Sequence, residues 1–276
     1  MFSGTIMRLC LIVMLSTALS FQSPAITVQR RATALWAAGV INRGLEKKRE
    51  GATPQEGGMV LYLKAAADGT SVGDCPFAHY VRMVLEEKNL EYEIRPTVQE
   101  TKPSWLIEHY GGKLPALRHR KECYVESDVI CEYLDFFFQN PSLTVSPKAV
   151  KAKAEAAVEG LFPAVAKYLK HIPDGDDDDQ ILQNNLENTL SKLNNHLQET
   201  GPFLCGEEFS LMDCALAPKL YHMKTGVSFF KDSSITLDTK FPEISNYMQT
   251  VFSRKSFVDT KYPEEVIVWG WGNARK

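Results

Sequence analysis

What the cysteines of this 276-residue chain lack is pairing. Cys10, Cys75, Cys123, Cys131, Cys205 and Cys214 are scattered, and no CxxC, HxxxH or Cys/His cluster accompanies them. Neither a disulfide framework nor a metal site is therefore expected. Unpaired thiols fit a compartment that keeps them reduced. Strong charge is missing too: the formal net charge is −3 and no basic stripe runs along the chain, which argues against a nucleic-acid partner. Long apolar runs are absent from the body of the sequence, where even Val72 to Leu90 is broken by Asp, His, Arg and Glu. No membrane association of the mature form is expected. What the chain does have, 44% hydrophobic and 10% aromatic residues, suffices for one large core or two ordinary ones. Small molecules are the expected partners, and since nothing demands a dimer, a monomer is expected.

The first residues read as an address. Arg8 precedes the apolar run Leu9 to Leu15, and Ala18-Leu19-Ser20 offers small residues where a signal peptidase cuts, so 1–20 is expected to be a signal peptide. From Phe21 to Leu45 there are three arginines, several Ser, Thr and Ala residues, and no acid before Glu46, a composition that resembles a plastid transit segment. Residues 21–56 thus read as transit-like presequence and linker. The pair resembles the bipartite presequence of algae whose plastids lie inside the endomembrane system. A plastid location is expected, with the secretory pathway as the alternative.

Beyond the linker the elements alternate. Met59 to Ala66 is strand-like; a Gly/Asp/Ser loop follows, and Pro76 opens a helical pattern through Lys88. Tyr92 to Val98 reads as a strand, Pro103 to Tyr110 as a helix stopped by Gly111-Gly112, Leu114 to His119 and Glu122 to Val125 as a hairpin, and Ser127 to Phe138 as a helix. This order predicts a thioredoxin-like α/β domain over 57–138, with its ligand edge where the first strand gives way to the first helix. After a linker, 149–276 reads as an all-helical domain, with helices near 149–170, 181–199, 210–225 and 241–253. Ser210-Leu211-Met212-Asp213 has the form of a capping box. The acidic run Asp174 to Asp179 lacks calcium-loop spacing and is expected to be a solvated loop.

Within this frame Gly73-Asp74-Cys75-Pro76-Phe77-Ala78 carries the chemistry. Pro76 suits the first helical position, so Cys75 is expected at a helix N-terminus, where free amides and the helix dipole lower a thiol pKa. Asp74 next door opposes that effect. Ala78 stands where a dithiol oxidoreductase would carry its second cysteine, so an oxidised Cys75 needs an external thiol, glutathione being the expected one. The other cysteines read as small apolar fillers. Parts suited to a tripeptide thiol recur downstream. Leu114-Pro115 precedes a strand, and a cis proline there would offer backbone to an extended peptide. Glu126-Ser127 opens a helix whose amides suit a carboxylate, and Lys102 suits the opposite carboxylate.

These stretches resemble the glutathione transferase superfamily and, within it, the plant-type dehydroascorbate reductases, over nearly all of 59–276. The matching runs include Leu63-Lys64-Ala65-Ala66, Gly73-Asp74-Cys75-Pro76-Phe77, Gly112-Lys113-Leu114-Pro115, Glu126-Ser127-Asp128-Val129-Ile130, Leu216 to His222, Val251 to Phe257 and the tail Glu264 to Trp271. The resemblance implies the glutathione transferase fold and reduction of dehydroascorbate by two glutathiones through a covalent intermediate on Cys75, with no bound cofactor. It also implies that Lys64 and Asp74 contact dehydroascorbate, and that Lys102, Leu114, Pro115, Glu126 and Ser127 hold glutathione. Ala78 departs from the serine usual in that family. Two alternatives stay open: an omega-like glutathione transferase that deglutathionylates proteins, and a redox-sensing non-enzymatic relative similar to the chloride intracellular channel proteins.

Overall fold

The computed structural model describes residues 58–145, 147–174, 176–231 and 235–275, without the side chains of 176–178. The signal and transit expectations lie outside these residues. Two compact units hold them, one with Pro103–Gly112 and the other with the chain on either side of it.

The sheet of the larger unit comprises β1 (Met59–Lys64), β2 (Tyr92–Thr97), β3 (Ala116–His119) and β4 (Glu122–Val125), in the order β2-β1-β3-β4. β1 runs parallel to β2 and antiparallel to β3, and β3 and β4 form the expected hairpin. β1, paired on both sides, buries its middle: Met59, Leu61, Tyr62 and Leu63 are buried and only Lys64 at its end is exposed. The helix α1 (Pro76–Glu87) follows the loop after β1. The smaller unit holds α2 (Ser104–Tyr110), closed by Gly111 in the left-handed conformation at φ 65°, which glycine adopts without steric cost. α3 (Ser127–Phe137) completes the thioredoxin-like part and packs on α1.

The rest is helical: α4 (Lys148–Val158), α5 (Leu161–Lys170), α6 (Asp176–Thr200), α7 (Leu211–Phe230), α8 (Leu237–Lys240), α9 (Pro242–Phe252), α10 (Lys255–Thr260) and α11 (Glu264–Ala274). Three expectations need correction. The helix read over 149–170 is two, because the chain turns through Gly160 at φ 76°. The acidic run is not wholly a loop: α6 begins at Asp176. Asp179 accepts from Lys231, itself buried, and from His171 Nδ1 at 3.1 Å. Finally, the tail forms α10 and α11, which the periodicity alone does not mark.

α1 packs against α7 and α10 within the larger unit. Glu87 at its end accepts a two-pronged bond from Arg254 (2.9 and 2.8 Å), and Arg82 donates to the Thr260 carbonyl at 2.7 Å. The capping box at Ser210 is present: the Asp213 carboxylate accepts from the Ser210 amide (2.9 Å) and hydroxyl (2.7 Å), and also from the Leu204 amide and Tyr247 hydroxyl. Four donors on a fully buried carboxylate make it a fixed point of the helical part.

Candidate active site

The register of the sheet sets the site. Lys64, the last residue of β1, lies opposite Thr97, the last of β2; Tyr62 faces Ala116, the first of β3; and Ala116 faces Val125, the last of β4. The loop to Cys75, the turn to Lys102, the Leu114-Pro115 peptide and the Glu126-Ser127 pair all leave from this one end of the sheet. Residues far apart in sequence are thereby gathered at the edge where the first strand gives way to the first helix.

The loop is built to bring Cys75 back to β1. Asp68 turns the chain by accepting from the amides of Thr70 (2.9 Å) and Ser71 (2.8 Å). Gly73 then donates to the Lys64 carbonyl at 2.8 Å. A Cβ at Gly73 would sit 2.6 Å from the carbonyl oxygens of both Lys64 and Ala65, so only glycine allows this approach. Cys75 is the N-cap of α1 with Pro76 at the first helical position, and it is half-buried.

The helix-end amides of Phe77 and Ala78 do pull the Cys75 thiol pKa down, and so does Lys64. Burial outweighs them, with Asp74 adding to it, and pushes the thiol up. The expected lowering is thus corrected: desolvation of the thiolate is the larger effect here. Burial also pushes Cys123 up, to about 12, and holds Cys131, Cys205 and Cys214 above the usual thiol range.

Lys64 and Asp74 form one unit. Lys64 Nζ donates to Asp74 Oδ1 at 2.6 Å, with the lysine side chain 49% exposed and the aspartate 13%. The ammonium also stands 5.4 Å from the centre of the Trp269 ring, within cation–π range. Of the residues expected to hold glutathione, Lys102 follows a 3-10 turn (Gln99–Thr101) and donates to Gln99 at 2.9 Å. The Leu114-Pro115 peptide is cis. Glu126 is the N-cap of α3 at φ 70° and accepts from Lys113 at 2.6 Å, while Ser127, at the first helical position, is buried.

The sequence reading missed what lies behind Asp74. Trp271 Nε1 donates to His222 Nδ1 (3.2 Å). His222 must then carry its proton on Nε2, which meets the Tyr262 hydroxyl at 2.7 Å. That hydroxyl donates to the Asp74 carbonyl at 3.0 Å. Burial drives His222 down to about 4, and burial together with Arg82 and His222 drives His79 well below the usual range. Both stay neutral when folded but bind protons in the unfolded chain below about pH 6.5, so stability is full above that pH and falls with acidification. Between pH 6.5 and 4 His222 alone is expected to withdraw about 3 kcal/mol. Denaturant melts of His222→Gln should flatten this fall; an equally steep fall would count against it. The available sequence signal was Pro263 followed by two acids, a helix start, with His222 among apolar neighbours.

A small mixed sheet with its helices, in which the first strand leads through a loop to a helix capped by Cys75, followed by a helical part, is the arrangement of the glutathione transferase fold. The glutathione S-transferase N-terminal domain model matches 74–135 and the C-terminal domain model 151–250. The chain is 33% identical over 214 residues to glutathione S-transferase DHAR2 of Arabidopsis thaliana, covering 76% of this chain and 95% of that one. It is 32% identical to the chloroplastic DHAR3 of the same plant, covering 72% and 74%. Among solved structures, Chlamydomonas reinhardtii dehydroascorbate reductase superposes with a TM-score of 0.65 at 27% identity, over 78% of this chain and 98% of that one. The chain therefore belongs to the glutathione transferase family, in its dehydroascorbate reductase branch.

Proposed function

We propose that the chain reduces dehydroascorbate to ascorbate at the expense of two glutathiones, with Cys75 as the only working thiol. One observation carries this: Cys75 caps α1 beside the Lys64–Asp74 pair, with an alanine at 78 in place of a second thiol. In the first half-reaction the Cys75 sulfur attacks dehydroascorbate, and with one water the products are ascorbate and a sulfenic acid on Cys75. A first glutathione then displaces that oxygen as water, leaving a mixed disulfide. A second glutathione attacks the mixed disulfide, releasing oxidised glutathione and the free thiol. Lys64 and Asp74 hold the polar oxidant. Lys102, Leu114, Pro115, Glu126 and Ser127 hold glutathione, the γ-glutamyl carboxylate meeting the amides at the start of α3.

The reading assigns 57–138 to glutathione and 149–276 to the wall of the oxidant site, as a monomer with no bound cofactor. Relatives named both chloroplastic and cytosolic exist, and the composition of 1–56 supports the plastid. Among the described residues no three His, Cys, Asp or Glu side chains group to hold a metal, and no helix is long and apolar enough to cross a membrane.

Initial-rate measurements with both substrates varied should give parallel double-reciprocal lines. Intersecting lines would remove the covalent intermediate, and turnover confined to glutathionylated peptides would favour the deglutathionylase instead.

A further inference from the structure

Two consecutive residues of α11 stand against the Lys64–Asp74 pair, and the next one is linked to Asp74 through two other side chains. Trp269, 36% exposed, places its ring 5.4 Å from the Lys64 ammonium. Gly270 is buried under Asp74: a Cβ built there would overlap Asp74 Oδ2 and Cγ and stand 3.1 Å from its Cβ. Trp271 begins the bonded line through His222 and Tyr262 that ends on the Asp74 carbonyl. Carbonyl and carboxylate of one aspartate are thus both seated by the same terminal segment, one through a hydroxyl and the other through the missing side chain of a glycine. Every member of that line is buried, where a bond is strong and a lost partner is costly.

We propose that α11 is the positioning element of the oxidant site, with Gly270 as the seat of the Asp74 carboxylate and Tyr262 as the clamp on its carbonyl. The proposal rests on the reading of Asp74 and Lys64 as oxidant contacts and adds residues that act through them. The physical reason is that Asp74 has little freedom of its own. Gly73 is pinned to the Lys64 carbonyl and Pro76 begins a rigid helix, so the two-angle aspartate side chain can point at Lys64 only if α11 leaves it room. Glycine inside a helix disfavours the helix relative to alanine, and at 270 that cost gives space for the carboxylate.

Gly270→Ala is therefore the decisive variant, because it favours the helix while filling the seat. Two readouts separate the proposal from the reading beneath it. The first is kcat/KM for dehydroascorbate at saturating glutathione. The second is the pH profile of Cys75 alkylation by iodoacetamide, which needs no oxidant. Among the described residues the charged and titratable groups that act on the thiol are Asp74, Lys64 and Tyr262, and in the wild type the rate should still be climbing at pH 9. Gly270→Ala should lower kcat/KM for dehydroascorbate at least about tenfold, leave KM for glutathione within about twofold, and move the alkylation profile, with the helical circular dichroism retained. Tyr262→Phe should move both readouts in the same sense by a smaller factor. A shifted profile with undiminished kcat/KM would keep the positioning and remove Asp74 from the oxidant site, which is a failure of the underlying reading alone. An unmoved profile, whatever the kinetics, overturns the proposal.

Discussion

Replacing Cys75 by serine is expected to lower dehydroascorbate reduction by about 10³-fold or more while leaving the fold and glutathione binding intact. In the proposed cycle both half-reactions run through the same sulfur: it is oxidised to the sulfenic acid, water supplying the oxygen as dehydroascorbate is reduced, and then forms the disulfide with glutathione. A hydroxyl does neither, because it is far less nucleophilic and cannot pass through sulfenic acid and disulfide states. No neighbouring thiol can substitute. Position 78 is alanine, Cys131 and Cys214 are fully buried, and Cys123 is held up to about 12. The serine fits where the thiol was, half-exposed at the cap, and serine is itself a good N-cap, so the melting temperature should hold or rise. Glutathione binding should persist in calorimetry, since Lys102, Leu114, Glu126 and Ser127 are untouched. Retained turnover in the serine variant would sink the assignment of Cys75. Lost turnover with lost glutathione binding would mean that the thiol also helps hold the tripeptide.

The local part of this site was legible in the sequence, and its surroundings were not. Pro76 after Cys75 marks a helix start because proline at the first position loses no bond, and the helix does start there. Gly73 and Leu114-Pro115 signal backbone demands that few other residues meet, and the register of four short strands brings their neighbourhoods to one end of the sheet. The sign of the thiol shift was misjudged for a physical reason. A helix N-terminus is a property of consecutive residues, whereas burial of the sulfur is decided by how the rest of the chain packs around it. The same holds for α11. Its sequence, Glu-Glu-Val-Ile-Val-Trp-Gly-Trp-Gly, is apolar on several sides and shows no clean stripe, because one side meets α7 and another meets Asp74. A segment that serves two neighbours loses the one-sided pattern by which amphipathic helices are recognised. The break at Gly160 was hidden differently: a glycine between two helical patterns can be tolerated or can turn the chain, and only packing decides which.

The largest loss of stability is expected from Lys88→Met. Lys88 is buried at the end of α1, and its ammonium donates to Asp135 of α3 (2.6 Å) and to the carbonyls of Phe138 (2.6 Å) and Pro141 (2.7 Å). Neither charged side chain reaches solvent to any extent, with exposures of 0% and 4%. Asp135 also accepts from the Leu143 amide at 2.8 Å and from the Thr144 hydroxyl. Burial opposes its charge, yet the bonds from Lys88, Thr144 and Leu143 together hold its carboxyl below the usual range. One ammonium and one carboxylate thus fasten the chain from Phe138 to Thr144, the connection between the parts matched by the two family models, onto α1 and α3. Methionine fills a similar volume but leaves a buried carboxylate and two carbonyls without their donor, a defect worth about 3–5 kcal/mol. The measurement is the urea midpoint of Lys88→Met. Lys88→Met combined with Asp135→Asn should recover part of the loss, because the uncompensated charge is then gone while the amide can still accept from Leu143. A single-variant loss below about 1 kcal/mol would mean that the pair is solvated in the working protein, and equal losses in the single and double variants would place the cost in the carbonyls of the connection instead of in the charge.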